Sequence, residues 1–284
     1  MVKIGAHVSS SKSLDLVFDR GLEIGADTVQ FFVSSPRSWR WKERGEEEKK
    51  LFLEKRKKTG ISPVVVHSSY LFNLASDNKE LREKSIKGVI NELKLCEELK
   101  VDFYVIHPGK AKGQDEKDAI KHIIESLKVV LSSVELKHTT FLLETLAGQK
   151  GEIGKNTEEL VQLVEPFYDK KIGVCVDTCH IYSAGYKINE EEGFYRYKEE
   201  LDKNISLKNV HVIHCNDSKT PFNSRKDRHE HIGEGSIGLK GFELFLNDEF
   251  FSKLPFILET PKSGNWDLIN MERLRNLVKA PVAQ

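Results

Sequence analysis

Nine side chains of this sequence are of the kinds that hold divalent cations, and each stands at or just beyond the end of an apolar run. His67 closes "PVVVH", His107 closes "DFYVIH", Glu144 lies in "TFLLET", Asp177 in "GVCVDT", His214 in "VHVIHC" and Glu259 in "FILET". His180 follows Asp177 in "DTCH", and "DRHEH" adds Asp227 and His229. A charged or polar group at the lip of a buried strand costs desolvation free energy unless something compensates it. A single such residue is ordinarily a hydrogen-bonded structural group. Four carboxylates crowded on one rim are different, because they repel one another and take up protons unless cations lie among them.

The donors are nitrogen and oxygen with no thiolate required, which leaves zinc, manganese and iron open. Five imidazoles favour zinc over magnesium, since Mg²⁺ prefers oxygen and keeps its waters. Three or four ligands per ion would let these side chains hold two or three ions, with a carboxylate such as Glu144 able to bridge two. Cys175, Cys179 and Cys215 lie near the donors in sequence, but free cysteine is a common small core filler and they are read as such. His122 and His138 fall on or near helices and read as surface residues, and His211 begins a strand at the wrong end for chemistry. His7 ends the first strand at the right rim, where backing a ligand, touching substrate and plain packing all stay open.

The elements that must position these groups alternate regularly. Apolar, β-branched or aromatic runs appear at 3–8, 28–33, 63–67, 102–107, 140–145, 173–178, 210–215 and 256–260, separated by amphipathic stretches with helical spacing. The clearest is 80–100, with Leu81, Ile86, Val89, Ile90, Leu93 and Leu99 on one side. Asn156 three residues before Glu159 makes an N-terminal box, and Gly60 ends a Lys-rich helix starting near Glu46. Strands apolar on both faces and separated by helices mean a parallel sheet, so the fold class expected is α/β, a (β/α)8 TIM barrel forming one domain over 1–284. A doubly wound open sheet would normally show GxGxxG after its first strand, and "AHVSSSKS" has none.

Lys plus Arg and Asp plus Glu both number 44, so the formal charge is zero and argues neither for nor against a polyanionic partner. No run approaches the ~18 apolar residues of a membrane span. The start, "MVKIGAHVSS", lacks the apolar core of a signal peptide. Four cysteines without CxxC spacing suit a reducing compartment, so a cytoplasmic chain without a membrane partner is expected.

These residues sit in segments that resemble endonuclease IV, the metal-dependent type 2 apurinic/apyrimidinic endonucleases. The resemblance runs end to end: "IGAHVS" at 4–9, "VVVHSSYLFNLAS" at 64–76, "IHPG" at 106–109, "LLETLAGQ" at 142–149, "VCVDTCHIYSAGY" at 174–186, "HCNDSK" at 214–219, "DRHEHIGEGSIG" at 227–238 and "ILETP" at 257–261. It implies a TIM barrel with three zinc ions, for which Mn²⁺ or Fe²⁺ are conceivable substitutes. His67, His107 and Glu144 would hold the first ion. Glu144 would bridge to a second held by Asp177, His214 and Glu259, and His180, Asp227 and His229 would hold the third. Glu144 and Glu259 would carry the catalytic roles.

The resemblance further implies a monomer that acts on duplex DNA containing abasic sites or 3′ blocking groups. Cleavage would fall 5′ to the lesion, leaving a 3′-hydroxyl and a 5′ deoxyribose phosphate. Arg37 in "SSPRSW" and Tyr70 and Leu71 in "HSSYL" match the side chains that enter the duplex at the lesion. Trp39 and Trp41 would support that loop, touch the backbone, or simply pack. Lys219, Arg225, Lys226 and Arg228 surround Asp227 and suit phosphate contacts. Two departures stand out: residue 68 is Ser where some members carry an acid, and His231 stands where many have Asn. For His231 a contact behind the ligands is expected rather than a tenth ligand. The nearest rivals are a sugar isomerase or epimerase on a related barrel and a DNA-binding protein with structural metals.

Overall fold

A computed structural model describes residues 1–279 of the chain. All eight expected runs form strands: β1 (Lys3–His7), β2 (Thr28–Phe31), β3 (Val64–His67), β4 (Phe103–Ile106), β5 (Thr140–Glu144), β6 (Ile172–Asp177), β7 (Val210–His214) and β8 (Pro255–Leu258). They pair in parallel in chain order, and β8 returns to β1 with Lys3 opposite Pro255, closing the barrel. Among the described residues, only the β6–β7 ladder slips register, between Val174 and Cys175.

Helices between the strands end where local chemistry ends them. Helix α1 spans Leu16–Glu23, and α2 (Glu46–Thr59) stops at Gly60, whose φ of 71° is the left-handed geometry that glycine adopts at least cost. Helix α3 (Lys79–Glu98) starts from Asn78, whose side chain accepts from the Leu81 N–H at 3.0 Å. After α4 (Glu116–Ser133), α5 (Thr157–Val164) starts from Asn156, which accepts from the Glu159 N–H at 2.8 Å. The Glu159 carboxylate turns away to the Gly154 N–H, 2.7 Å, so only half of the expected box forms. Helices α6 (Thr178–Ala184), α7 (Glu191–Ile205), α8 (Gly238–Asn247) and α9 (Trp266–Leu277) follow among the described residues.

Two apolar clusters form among the described residues. The larger lies between barrel and helices, and the smaller plugs the barrel with Val65, Val105, Leu142, Cys175, Val212 and Ile257, Phe103 packing against it. Those six plug residues decide where the chemistry sits. Side chains on a strand alternate between faces, so the residue two positions on returns to the same face, one step nearer the C-terminal mouth. Two positions after the plug come His67, His107, Glu144, Asp177, His214 and Glu259. In the two remaining strands Gly5 and Thr28 lie two positions before His7 and Gln30. Glycine is required at 5, because a Cβ there would lie 1.7 Å from the Thr28 carbonyl oxygen.

Candidate metal centre

The eight strands thus raise a ring of eight polar side chains over an apolar floor. Burying one aliphatic floor residue stabilises the fold by about 1.5–3 kcal/mol, and that gain helps carry the desolvation cost above it. His67, Glu144, Asp177 and His214 are buried, whereas His107 and Glu259 are part-exposed.

Two further donors come from segments that fold around this ring. Asp177 is the N-cap of α6, accepting from the His180 N–H at 2.8 Å, so the three-residue spacing is also a helix start. It leaves the second carboxylate oxygen of Asp177 facing the mouth, where the Asn216 amide donates to it at 2.7 Å. Asp227 and His229 arrive on the long loop after β7, held by a short antiparallel ladder between Asp217–Ser218 and His229–Glu230. The Asp217 carboxylate accepts backbone N–H bonds from Ser218, Gly233, Gly235 and Ile237 at 2.8–3.1 Å. A Cβ at Gly235 would sit 2.5 Å from Asp217 Oδ1, which explains the second glycine of "HIGEGSIG".

The donors gather in three groups. Nε2 of His67 and of His107 each lie 3.2 Å from Glu144 Oε2. His214 Nδ1 lies 3.0 Å from Glu144 Oε1, 3.2 Å from Glu259 Oε2 and 4.0 Å from Asp177 Oδ2. His180 Nε2 and His229 Nε2 lie 3.1 and 3.3 Å from Asp227 Oδ1. Each group has one ligand atom per residue within 4.8 Å of all the others, and Glu144 belongs to two of them.

The outer face of the ring fixes which imidazole nitrogen looks inward. The outer N–H of His67 donates to Ser68 O at 2.8 Å, that of His180 to Thr145 O at 2.8 Å, and that of His229 to Glu259 O at 3.1 Å. His214 Nε2 donates to Gln30 Oε1 at 2.8 Å. Such outer contacts orient metal-binding imidazoles and choose their tautomer. The inner Nε2 atoms of His180 and His229 are buried and make no hydrogen bond despite the nearby carboxylate. A lone pair facing a carboxylate oxygen is an arrangement that a cation between them would satisfy.

Charge makes the same point. Burial opposes the Glu144 carboxylate, yet His214 and His107 outweigh it and hold the group well below the usual range. Burial pushes Asp177 up despite His180 and His229. Burial disfavours the charged form of His180, but Asp177 and Asp227 outweigh it and raise the imidazole well above its ordinary value. An imidazole drawn toward protonation beside a carboxylate drawn toward ionisation is a pairing in which a divalent cation would take the place of the proton. Nitrogen and oxygen donors in sets of three and four, with tautomers fixed and inner lone pairs unmatched, fit such ions.

Some residues escaped the sequence reading. Gln30 bonds His214 and, through Nε2, Glu259 Oε1 at 2.6 Å. Its signal was a carboxamide inside "TVQFFV" at the period of the ring. Asn216 accepts from the Glu259 N–H at 2.7 Å while donating to Asp177. Cys179 lies within ligand distance of Asp177 and His229, but burial pushes its thiol up to about 12, and it packs as a core residue. His7 backs the ring, its Nδ1 3.1 Å from the Gln30 amide. The expectation that His231 stands behind the ligands is corrected: it stacks on Trp266 at 3.9 Å, bonds Asn270 and joins none of the three groups among the described residues. Ser68 contributes its carbonyl rather than its side chain to His67.

The loops expected to meet DNA lie at the same mouth. The exposed Tyr70 ring stands 5.3 Å from His67 and 6.0 Å from His107, centroid to centroid. Leu71 is half-buried beside it, and Arg37 is exposed on the loop after β2. Ser69 joins the two loops, its hydroxyl 3.2 Å from Pro36 O and 3.3 Å from the Leu71 N–H. Trp39 packs on Phe72 and Trp41 on the main core. Lys219, Arg225, Lys226 and Arg228 lie on the loop around Asp227.

Fold and site together define a xylose isomerase-like TIM barrel, and the family of that description matches residues 18–279. The chain is 74% identical over its full length and that of its relative to the "Probable endonuclease 4" of Persephonella marina. The crystal structure of endonuclease IV from Thermus thermophilus superposes with a TM-score of 0.86 at 32% identity, covering 97% of this chain and 98% of that one. A D-tagatose 3-epimerase-like protein shares the fold at a TM-score of 0.75 and 20% identity, over 97% of this chain and 96% of that one. The chain belongs to the endonuclease IV family.

Proposed function

We propose that this chain is a DNA repair endonuclease that hydrolyses the phosphodiester 5′ to an abasic site in duplex DNA, leaving a 3′-hydroxyl and a 5′ deoxyribose phosphate, and that also removes 3′ blocking groups. The observation that carries the proposal is three donor groups at one mouth, two of them sharing Glu144, beneath an exposed tyrosine. Its family membership supports the same reading. His67, His107 and Glu144 would hold one zinc ion; Glu144, Asp177, His214 and Glu259 a second; His180, Asp227 and His229 a third, with Mn²⁺ or Fe²⁺ as substitutes. When bound, such ions activate water at neutral pH and offset charge on the phosphoryl and leaving oxygens.

The protein's own residues do the rest. Glu144 sets the spacing of the first two groups through its two oxygens, and Glu259, held ionised against burial by His214, turns Oε2 toward the second. These two are assigned the catalytic roles. Arg37, Tyr70 and Leu71 would enter the helix at the lesion, where a missing base lowers the cost of unstacking and flipping. Lys219, Arg225, Lys226 and Arg228 would hold phosphates, giving salt-dependent binding. The protein would work as one domain over 1–284, as a monomer in the cytoplasm. No helix among the described residues is long and apolar enough to cross a membrane.

The test is a duplex oligonucleotide bearing one tetrahydrofuran abasic analogue, offered to the wild type and to Glu259→Gln. Cutting 5′ to the analogue by the wild type, lost in the variant, is expected. Tight binding without cutting by the wild type would instead mark a binding module, and turnover of ketohexoses without cutting would mark an epimerase.

A further inference from the structure

Seven strands place a metal-type donor or its histidine neighbour in the ring, and β2 places an amide there. Gln30 is fully buried, and a valine in its place would suit a parallel strand. A buried carboxamide left unpaired costs free energy, yet every polar contact of this one falls on the ring. Its Oε1 accepts from His214 Nε2 at 2.8 Å, and its Nε2 lies 2.6 Å from Glu259 Oε1 and 3.1 Å from His7 Nδ1. The amide can point only one way. Turned over, it would set N–H against the N–H of His214 and oxygen against the carboxylate of Glu259.

We infer that Gln30 is the positioning residue of the second cation group, choosing the tautomer of His214 and the free oxygen of Glu259 at once. By accepting the Nε2 proton it leaves the Nδ1 lone pair of His214 facing Glu144 Oε1 at 3.0 Å and Glu259 Oε2 at 3.2 Å. By donating to Oε1 of Glu259 it leaves Oε2 for the ion. Asn216 does the matching work on the other side, donating to Asp177 and accepting from the Glu259 backbone. Two carboxamides therefore brace the group shared with Glu144, whereas the other two groups are braced mainly by backbone carbonyls. This rests on the metal-site reading above.

The experiment compares wild type, Gln30→Glu and Gln30→Met, two side chains of similar size. Each is loaded with zinc and titrated with a chelator, and retained ions per chain are counted by elemental analysis. Cobalt-loaded samples report the ligand field in the visible spectrum, and melting of the metal-free proteins reports folding. Loss of one ion at 10–100-fold lower chelator, the others kept, with an altered cobalt spectrum, is expected, as for contacts behind metal ligands generally. Wild-type ion retention and spectrum in both variants would overturn the inference, even if their metal-free melting points fell. A wild type holding fewer than two ions would overturn the site reading and this inference with it.

Discussion

Replacing Glu144 with glutamine should dismantle two cation groups without leaving a cavity. The carboxylate is fully buried, with Oε2 3.2 Å from Nε2 of both His67 and His107 and Oε1 3.0 Å from His214 Nδ1. An amide of the same size removes the charge and one acceptor oxygen. Taking one partner from a buried charged set costs about 3–5 kcal/mol. The imidazoles can recover part of that by releasing protons, so the low end, about 3 kcal/mol, is expected for the metal-free protein at neutral pH. At about 2–4 °C per kcal/mol for large domains, melting should fall by about 6–12 °C. Because Glu144 is held below its ordinary value, its contribution is present above about pH 4.3 and is lost as the pH falls further. The gap between variant and wild type should therefore close in acid.

With the three zinc ions proposed above bound, the same change should lower zinc toward one equivalent. It should reduce kcat on the tetrahydrofuran duplex by about 10²–10³, the scale of losing one preorganised electrostatic group. Calorimetry across pH, elemental analysis and single-turnover cutting read the three effects. Three zinc equivalents together with turnover within tenfold of wild type would refute the bridging argument.

Zinc should leave more readily in acid, because His180 is pushed well above its ordinary value, burial being outweighed by Asp177 and Asp227, and protons compete for its lone pair. Half-extraction by a chelator corrected for its own protonation should need at least about tenfold less chelator at pH 6 than at pH 8; a flat profile would exclude proton competition. Tyr70→Ala should weaken binding of abasic duplex by about 5–150-fold, the worth of about 1–3 kcal/mol of lost stacking, and leave the zinc count unchanged, as equilibrium binding and elemental analysis would report. At the opposite end of the barrel, Glu97 accepts N–H bonds from Lys137, His138 and Thr139 at 2.8–3.1 Å. Burial is outweighed by those bonds, so its acid is depressed and its stabilisation is present above about pH 4.3 and fades below it. Glu97→Gln should cost about 1–2 kcal/mol at pH 7 by urea unfolding, with cutting activity intact.

The same sequence reading did well where the information is local. Alternation has a period of two along any strand, so an inward apolar residue and the donor two positions on are visible in "VVH", "VIH", "LLE", "CVD", "VIH" and "ILE" without any partner strand. Helix ends were legible for the same reason, Gly60 and Asn156 acting within their own turn. Reading His231 as a residue behind the ligands failed because its place depends on Trp266 and Asn270 in α9, far along the chain.

By itself, then, the order of residues determined eight strands and, at six of their ends, the kind of donor atom each would carry. Only the closed barrel decided which donors meet. It set Glu144 between His107 and His214, brought Asp227 back to His180, and turned Gln30 from a polar residue in an apolar run into the brace of His214 and Glu259. Closure joins residues far apart in the chain, and no local period records which of them will face one another.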